Sequence, residues 1–196
     1  MGDPKQPRKK YDTPRHPWNK ARIDAEKEIK KDYGLKNNKE IWKFNSKLKS
    51  FKEQAKKLVQ LSTEQARKEE KLLLDKLIKL NLLQAGSTLN DILGLDLKKI
   101  LDRRLQTQVF KHKLARTVKQ ARQLIIHGHI QIDGKKVTVP SYVIKRDEET
   151  KIGYAKDSQF NDKNHPERVP DETIKQKIAA KEEKIEKPKQ EMIKNV

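Results

Sequence analysis

The chain has 196 residues, 47 of them Lys or Arg against 28 Asp or Glu, which leaves a net charge of +19 on a sequence only 33% hydrophobic. Such a cationic excess resists compaction and attracts polyanions, so nucleic acid is the expected partner, and the thin apolar fraction argues against one large core. Cysteine is absent, which removes disulfides, thiolate nucleophiles and cysteine zinc sites, and no apolar run approaches the roughly 20 residues of a spanning helix.

Residues 1 to 18 set Pro4, Pro7, Pro14 and Pro17 among Arg8, Lys9, Lys10, Arg15 and His16. That spacing forbids a continuous helix and predicts an extended basic arm. Ile23 to Tyr33 reads as a short charged helix closed by Gly34. Ile41, Phe44, Leu48, Phe51, Ala55 and Leu58 then recur at helical spacing, with Lys on the other face, which predicts a long amphipathic helix. Ser62 with Gln65, and Thr88 with Asp91, have capping-box spacing and start further helices, one of them carrying the Leu72 to Leu83 cluster. Residues 19 to 100 are thus expected to form a mainly helical domain.

Leu97, Leu101, Leu105 and Val109, with Ile100 beside them, mark one apolar stripe from which Arg103 and Arg104 point away. A second helix opens at Thr117, with Gln120 at capping-box spacing, buries Val118, Ala121, Leu124 and Ile125, and ends near Gly128. The apolar period then changes to two. Ile130 and Ile132 lead into Asp133-Gly134, followed by Val137 and Val139, a hairpin around a two-residue turn. Val143-Ile144 and Ile152 to Tyr154 are candidate further strands. Residues 101 to 160 are therefore expected to form a helix-helix-hairpin unit, which makes the fold class α+β. Residues 161 to 196 are rich in Lys and Glu and carry too little apolar area to fold alone, so a charged tail is expected.

The charge is unevenly placed: residues 103 to 146 carry net +10, whereas residues 147 to 196 carry net −1. Asp133 is the only acid in the first of these stretches, at a turn position that favours Asp for backbone reasons. On the second helix of that unit Lys119 and Arg122 are neighbours, and Arg116, Gln120, Gln123 and His127 form a row away from the apolar stripe. Guanidinium and amide groups donate to phosphate, ribose and base edges, while a merely solvated face would alternate Lys with Glu. The expected main RNA surface comprises Arg103, Arg104, Lys113, Arg116, Thr117, Lys119, Arg122, Gln123, Lys135 and Lys136, with Gln120 and His127 as neutral hydrogen-bonding members. Arg8, Lys9, Lys10, His16 and Trp18 form a second expected site in the arm, Trp18 as a stacking residue. Trp42, next to Ile41 on a helix, reads as packed. His127 and His129 flank a glycine with no acid or cysteine nearby, so no metal site is expected, nor any cofactor or small-molecule substrate.

The segment Leu101-Asp102-Arg103-Arg104-Leu105-Gln106-Thr107-Gln108-Val109-Phe110, with Arg116-Thr117, Ala121-Arg122-Gln123-Leu124-Ile125, His127-Gly128-His129-Ile130 and Asp133-Gly134-Lys135, resembles the RNA-binding domain of the small-subunit ribosomal protein S-four family, called S-nine in eukaryotes. Arg8-Lys9-Lys10-Tyr11, Thr13-Pro14, His16-Pro17-Trp18, Tyr33-Gly34-Leu35-Lys36-Asn37, Glu40-Ile41-Trp42 and Asp91-Ile92-Leu93-Gly94-Leu95 are similar to the archaeal form. The resemblance covers roughly residues 1 to 160. It implies a structural constituent of the small ribosomal subunit that binds 16S-type ribosomal RNA early in assembly, contacts ribosomal protein S-five, contributes to decoding accuracy and resides in the cytoplasm.

Two other classes are weighed against this. An RNA-modifying enzyme using the same domain as a clamp needs a second, pocketed domain, yet residues 23 to 95 offer Lys-rich helices without a phosphate-cradling glycine loop or a nucleophile beside a base. A free RNA-binding protein, or a general DNA-compaction protein, would share the charge and differ in ligand preference.

Overall fold

The structure, a computed structural model, describes residues 9–61, 63–162 and 165. Arg8 and nearly all of the Lys/Glu tail lie outside them, as does Ser62.

Helix α1 (Lys20–Asp32) begins at Asn19, whose side chain accepts from the Arg22 amide. After Tyr33 the chain reverses through Gly34 at φ +56°, and the Leu35 amide donates back to the Lys30 carbonyl at 3.0 Å. Helix α2 (Asn38–Val59) buries Ile41, Phe44, Leu48, Ala55 and Leu58 and half-buries Phe51, the stripe its periodicity predicts. Helix α3 (Glu64–Lys79) starts from Thr63, one residue later than the Ser62 spacing predicts; the Thr63 side chain accepts from the Ala66 amide at 3.2 Å. Thr88 and Asp91 form the predicted capping box of α4 (Leu89–Leu93), the Thr88 amide donating to the Asp91 carboxylate at 2.7 Å. These helices share one apolar cluster running from Phe44 to Leu101.

The stripe from Leu97 to Val109 is buried, but it lies on two helices rather than one. Helix α5 (Leu97–Asp102) ends at Arg103, and α6 (Leu105–Lys111) restarts after Arg104. In the gap the backbone is extended at Arg104, which forms a lone antiparallel bridge with Val143, and the Leu105 amide donates to the Tyr142 carbonyl at 2.8 Å. Helix spacing alone does not reveal such a break, because the residues on either side of it stay in register with the core.

Helix α7 (Val118–Ile126) is capped by Thr117, which accepts from the Gln120 amide at 3.1 Å. The other half of the expected capping box is displaced by one residue: the Gln120 side chain accepts from the Arg116 amide at 2.7 Å. Gly128 at φ +75° closes the helix. Strand β1 (Ile130–Ile132) pairs with β2 (Lys135–Lys136) across Asp133-Gly134, both at positive φ as a two-residue hairpin turn requires. Strand β2 stops before Val137 and Val139, although the Val137 amide still donates to the Ile130 carbonyl at 3.1 Å. A third strand, β3 (Ile152–Tyr154), pairs antiparallel with β1, giving the order β2-β1-β3, and a short helix α8 (Arg146–Glu149) precedes it. Leu105, Val109, Ala121, Leu124, Ile125, Ile130, Ile132 and Ile144 form the centre of a second apolar cluster. The fold is α+β, with helices first and a small sheet after them.

Candidate nucleic-acid interface

Helix α7 turns Ala121, Leu124 and Ile125 into the second cluster, which leaves Lys119, Gln123, Ile126 and His127 exposed on its far side. Arg116 and Thr117, just before the helix, are exposed as well, and Lys113 occupies the α6–α7 connection at φ +58°, also exposed. The hairpin tip adds Lys135 and Lys136, both exposed. The hairpin reaches the end of α7: His127 and His129 have ring centroids 6.4 Å apart, and the charges of both His127 and Lys136 act on His129. Burial first, then the charges of His127, His165 and Lys136, hold the His129 imidazole below its usual value. Lys136 pairs with Asp157 at 2.8 Å, an exposed contact of the kind that contributes little to stability. Thr117 and Gln120 are engaged in capping and in the Arg116 amide contact, respectively.

Arg103 and Arg104 depart from the expected surface. Their side chains are 7% and 0% exposed. Arg103 Nη1 contacts Glu149 at 2.8 Å and its Nη2 donates to the Ile144 carbonyl at 3.3 Å. Arg104 Nη2 donates to Glu40 at 2.8 Å and to Gln106 Oε1 at 3.2 Å, while its guanidinium lies 5.1 Å from the centroid of the Phe44 ring. The reason is the break between α5 and α6: the chain turns inward where an uninterrupted helix would have held both arginines on its outer face.

Arg122 is only partly a surface residue. Its guanidinium donates to both Glu40 oxygens, at 2.9 and 3.2 Å. Burial alone pushes the Glu40 carboxyl up, but hydrogen bonds and charge from Arg122 and Arg104 outweigh it and hold the carboxyl below its usual range. Glu40 is not among the residues expected to matter; in sequence it is one of two acids, with Glu53, on a Lys-rich helix. Gln106 is not among them either, yet it is fully buried and its amide donates to the Gly34 and Val118 carbonyls at 3.1 and 3.0 Å. An uncharged amide between the stripe residues Leu105 and Val109 is the signal that could have found it.

In the arm, Lys9, Lys10, His16 and Trp18 are exposed, Trp18 at 91%. Lys9 Nζ sits 5.0 Å from the Tyr11 ring centroid. The arm rests on α2 through the Asp12 amide, which donates to Ser46 Oγ at 2.9 Å, and through the Tyr11 and Trp42 rings. Trp42 is packed as expected, its indole N–H donating to buried Glu26 at 3.1 Å. Between arm and helices lies a cleft of about 360 Å³ lined in part by Arg15, His16, Asn19, Arg22, Asn45 and Lys49. The arm site and the α7 face are separate surfaces contributed by different elements. Among the described residues no cluster of His, Asp and Glu is suited to a metal ion, and no helix is long and apolar enough to cross a membrane.

Residues 5–102 match the family model of the ribosomal protein S4/S9 N-terminal domain, and residues 103–149 match the S4 domain. The chain is 48% identical over 172 residues to small ribosomal subunit protein uS4 of Picrophilus torridus, covering 86% of this chain and 94% of that one. It is 48% identical over 154 residues to uS4 of Methanothermobacter thermautotrophicus (79% and 90% covered), and 48% over 170 residues to uS4 of Methanococcus vannielii (86% and 96%). With both halves matched in order and near-complete relatives aligned, the chain belongs to the small ribosomal subunit protein uS4 family.

Proposed function

We propose that this chain is a structural, non-enzymatic constituent of the small ribosomal subunit that binds small-subunit ribosomal RNA directly through its second, sheet-containing unit. The observation that carries this reading is the exposed cationic and amide face of Lys113, Arg116, Lys119, Gln123, His127, Lys135 and Lys136, on a unit whose acids are nearly absent up to Arg146. Duplex RNA hides its base edges in a deep, narrow groove, so a rigid basic face reads the shape of a folded junction through phosphates and 2′-hydroxyls. Arg103 and Arg104 serve this face from behind, by fixing the turn that presents it. Lys9, Lys10, His16 and Trp18 form a second contact in the arm, with Arg8 continuing it.

The family relationship supports finer roles: early binding that nucleates assembly of the subunit body, contact with ribosomal protein S-five, a contribution to translational accuracy, and residence in the cytoplasm. The division into an arm to residue 18, a helical domain to residue 100, an RNA-binding domain to residue 160 and a tail belongs to the same reading.

The test is binding to small-subunit ribosomal RNA, to unrelated structured RNA and to duplex DNA across about 50 to 200 mM salt, where several phosphate contacts cost roughly a thousandfold in affinity. A preference for the ribosomal RNA that survives the higher salt is expected. Equal affinities that vanish together would identify a nonspecific polyanion binder.

A further inference from the structure

Away from the α7 face and from the arm, a pocket of about 290 Å³ opens at the seam between the two units. Leu82 and Ile100 form its buried floor, and half-buried Phe51, Leu80 and Val143 form its walls. Val143 belongs to the second unit in sequence yet packs on the first apolar cluster, so the second unit completes the pocket's lining. Its rim carries Ser50, Lys47 and Lys76. Each ammonium lies 5.6 Å from an aromatic centroid, Lys47 over Phe44 and Lys76 over Phe51.

These two lysines differ from the minority of described lysines that are paired. Lys27, Lys49, Lys111, Lys136, Lys145 and Lys151 each have a carboxylate partner. Lys47 and Lys76 form no salt bridge among the described residues, although Lys76 is close enough for its charge to act on Lys47. Burial, and after it the charge of Lys76, holds the Lys47 ammonium below its usual value. Two uncompensated cations at the lip of an apolar pocket are repelled by one another, and an anion placed between them relieves that repulsion.

We propose that this pocket is a docking site for a segment of another protein in which a large apolar side chain is flanked by carboxylates, the apolar group filling the pocket and the carboxylates meeting Lys47 and Lys76. The lining decides between this occupant and RNA. A nucleobase carries donors and acceptors around its edge, and among the lining side chains below the rim none can pair with them; a buried, unpaired polar edge is costly. An aliphatic or aromatic side chain has no such edge, and its neighbouring carboxylates stay at the rim where the cations are.

The experiment uses the full chain and a hexapeptide, blocked at both ends, with a central Leu-Phe pair between two aspartates on each side. Two controls replace the Leu-Phe pair by serines or the aspartates by asparagines, and a single-stranded RNA hexamer is the competitor. Binding is read by titration and by methyl NMR of Leu82, Ile100 and Val143. The Leu-Phe/Asp peptide should bind at least about tenfold more tightly than either control and shift those methyls. Lys47→Gln/Lys76→Gln, and separately the pocket-plugging Ser50→Trp, should each weaken it by about tenfold or more, with circular dichroism unchanged. The proposal is overturned if the serine control binds equally well, if the lysine variant binds as the parent does, or if the RNA hexamer produces the stronger methyl shifts. A chain carrying Ile185→Ser, which removes one of the few apolar residues of the Lys/Glu-rich stretch 161 to 196, should bind the peptide as the parent does; a gain of about tenfold would assign the pocket to the chain's own tail instead. None of these readouts requires ribosomal RNA, so failure here leaves the proposed RNA function standing, and the reverse.

Discussion

The guanidinium of Arg104 meets the carboxylate of Glu40 at 2.8 Å with no solvent exposure on the arginine side, and Arg122 closes on the same carboxylate at 2.9 Å. One acid on α2 thus holds two cations from the unit that follows. Arg104 Nε and Nη1 are buried without a hydrogen-bond partner, so little else compensates its charge.

Removing Glu40 therefore strands a buried cation. Glu40→Ala should destabilise the chain by about 3–5 kcal/mol, as breaking a buried pair from one side does. Urea denaturation checks this, with Lys119→Ala as an exposed control expected to stay within about 0.5 kcal/mol. A Glu40 effect no larger than the control's would mean that water or relaxation compensates Arg104.

The same carboxyl gives a pH dependence of defined sign. Its folded-state pKa lies below the reference value of 4.5, so its stabilisation is fully present above that value and is lost as pH falls through the lower folded-state value. Parent chain and Glu40→Gln compared by urea midpoint between about pH 7 and 3 should converge at the acid end. Parallel curves would remove Glu40 from the account of acid sensitivity.

Charge reversal separates structural from surface arginines and lysines. On sequence grounds, reversal at Arg103 and Arg122 should weaken RNA binding with little effect on folding; the buried pairing of Arg103 with Glu149 and the Glu40 contact of Arg122 predict lower stability instead. Lys119→Glu and Lys135→Glu should leave the thermal midpoint in place, weaken RNA binding, and reduce the salt slope by about 0.7–0.9 for each phosphate that is no longer neutralised. An unchanged slope would take those lysines off the interface.

Gly34 sits at φ +56°, and a Cβ there would lie 3.1 Å from Gln106 Nε2 and 3.1 Å from Val118 Cγ1. Gly34→Ala combines left-handed backbone strain with crowding of a buried amide and should cost about 1–3 kcal/mol. Thermal unfolding measures it, and a neutral result would show that the two units part easily at this point.

His129 reports on the proposed RNA face. In the free chain its NMR titration midpoint should lie below 6.5. RNA phosphates near Lys136 and His127 would offset the cations that depress it, so the midpoint should rise in the complex. No movement would place the RNA elsewhere.

The stripes on α2 and α7 and the Asp133-Gly134 turn are legible in the sequence because each depends on residues close together in the chain. Arg103 and Arg104 are misleading for the opposite reason. Their partners, Glu149 and Glu40, lie 46 and 64 positions away, and no local pattern announces them. The helix break between them is equally hidden, since Leu101 and Leu105 remain four apart on one apparent stripe. Charge is a sound guide to the partner and a poor one to which cations meet it.

The Glu40 clamp also orders events during synthesis. Glu40 is made 64 residues before Arg104 and 82 before Arg122. While the nascent chain ends short of Arg104, the carboxylate has neither counterion, and the two guanidinium groups that pack on it are not yet present. The contact that ties the first half of the molecule to the second is therefore available only once translation has delivered Arg104 and Arg122.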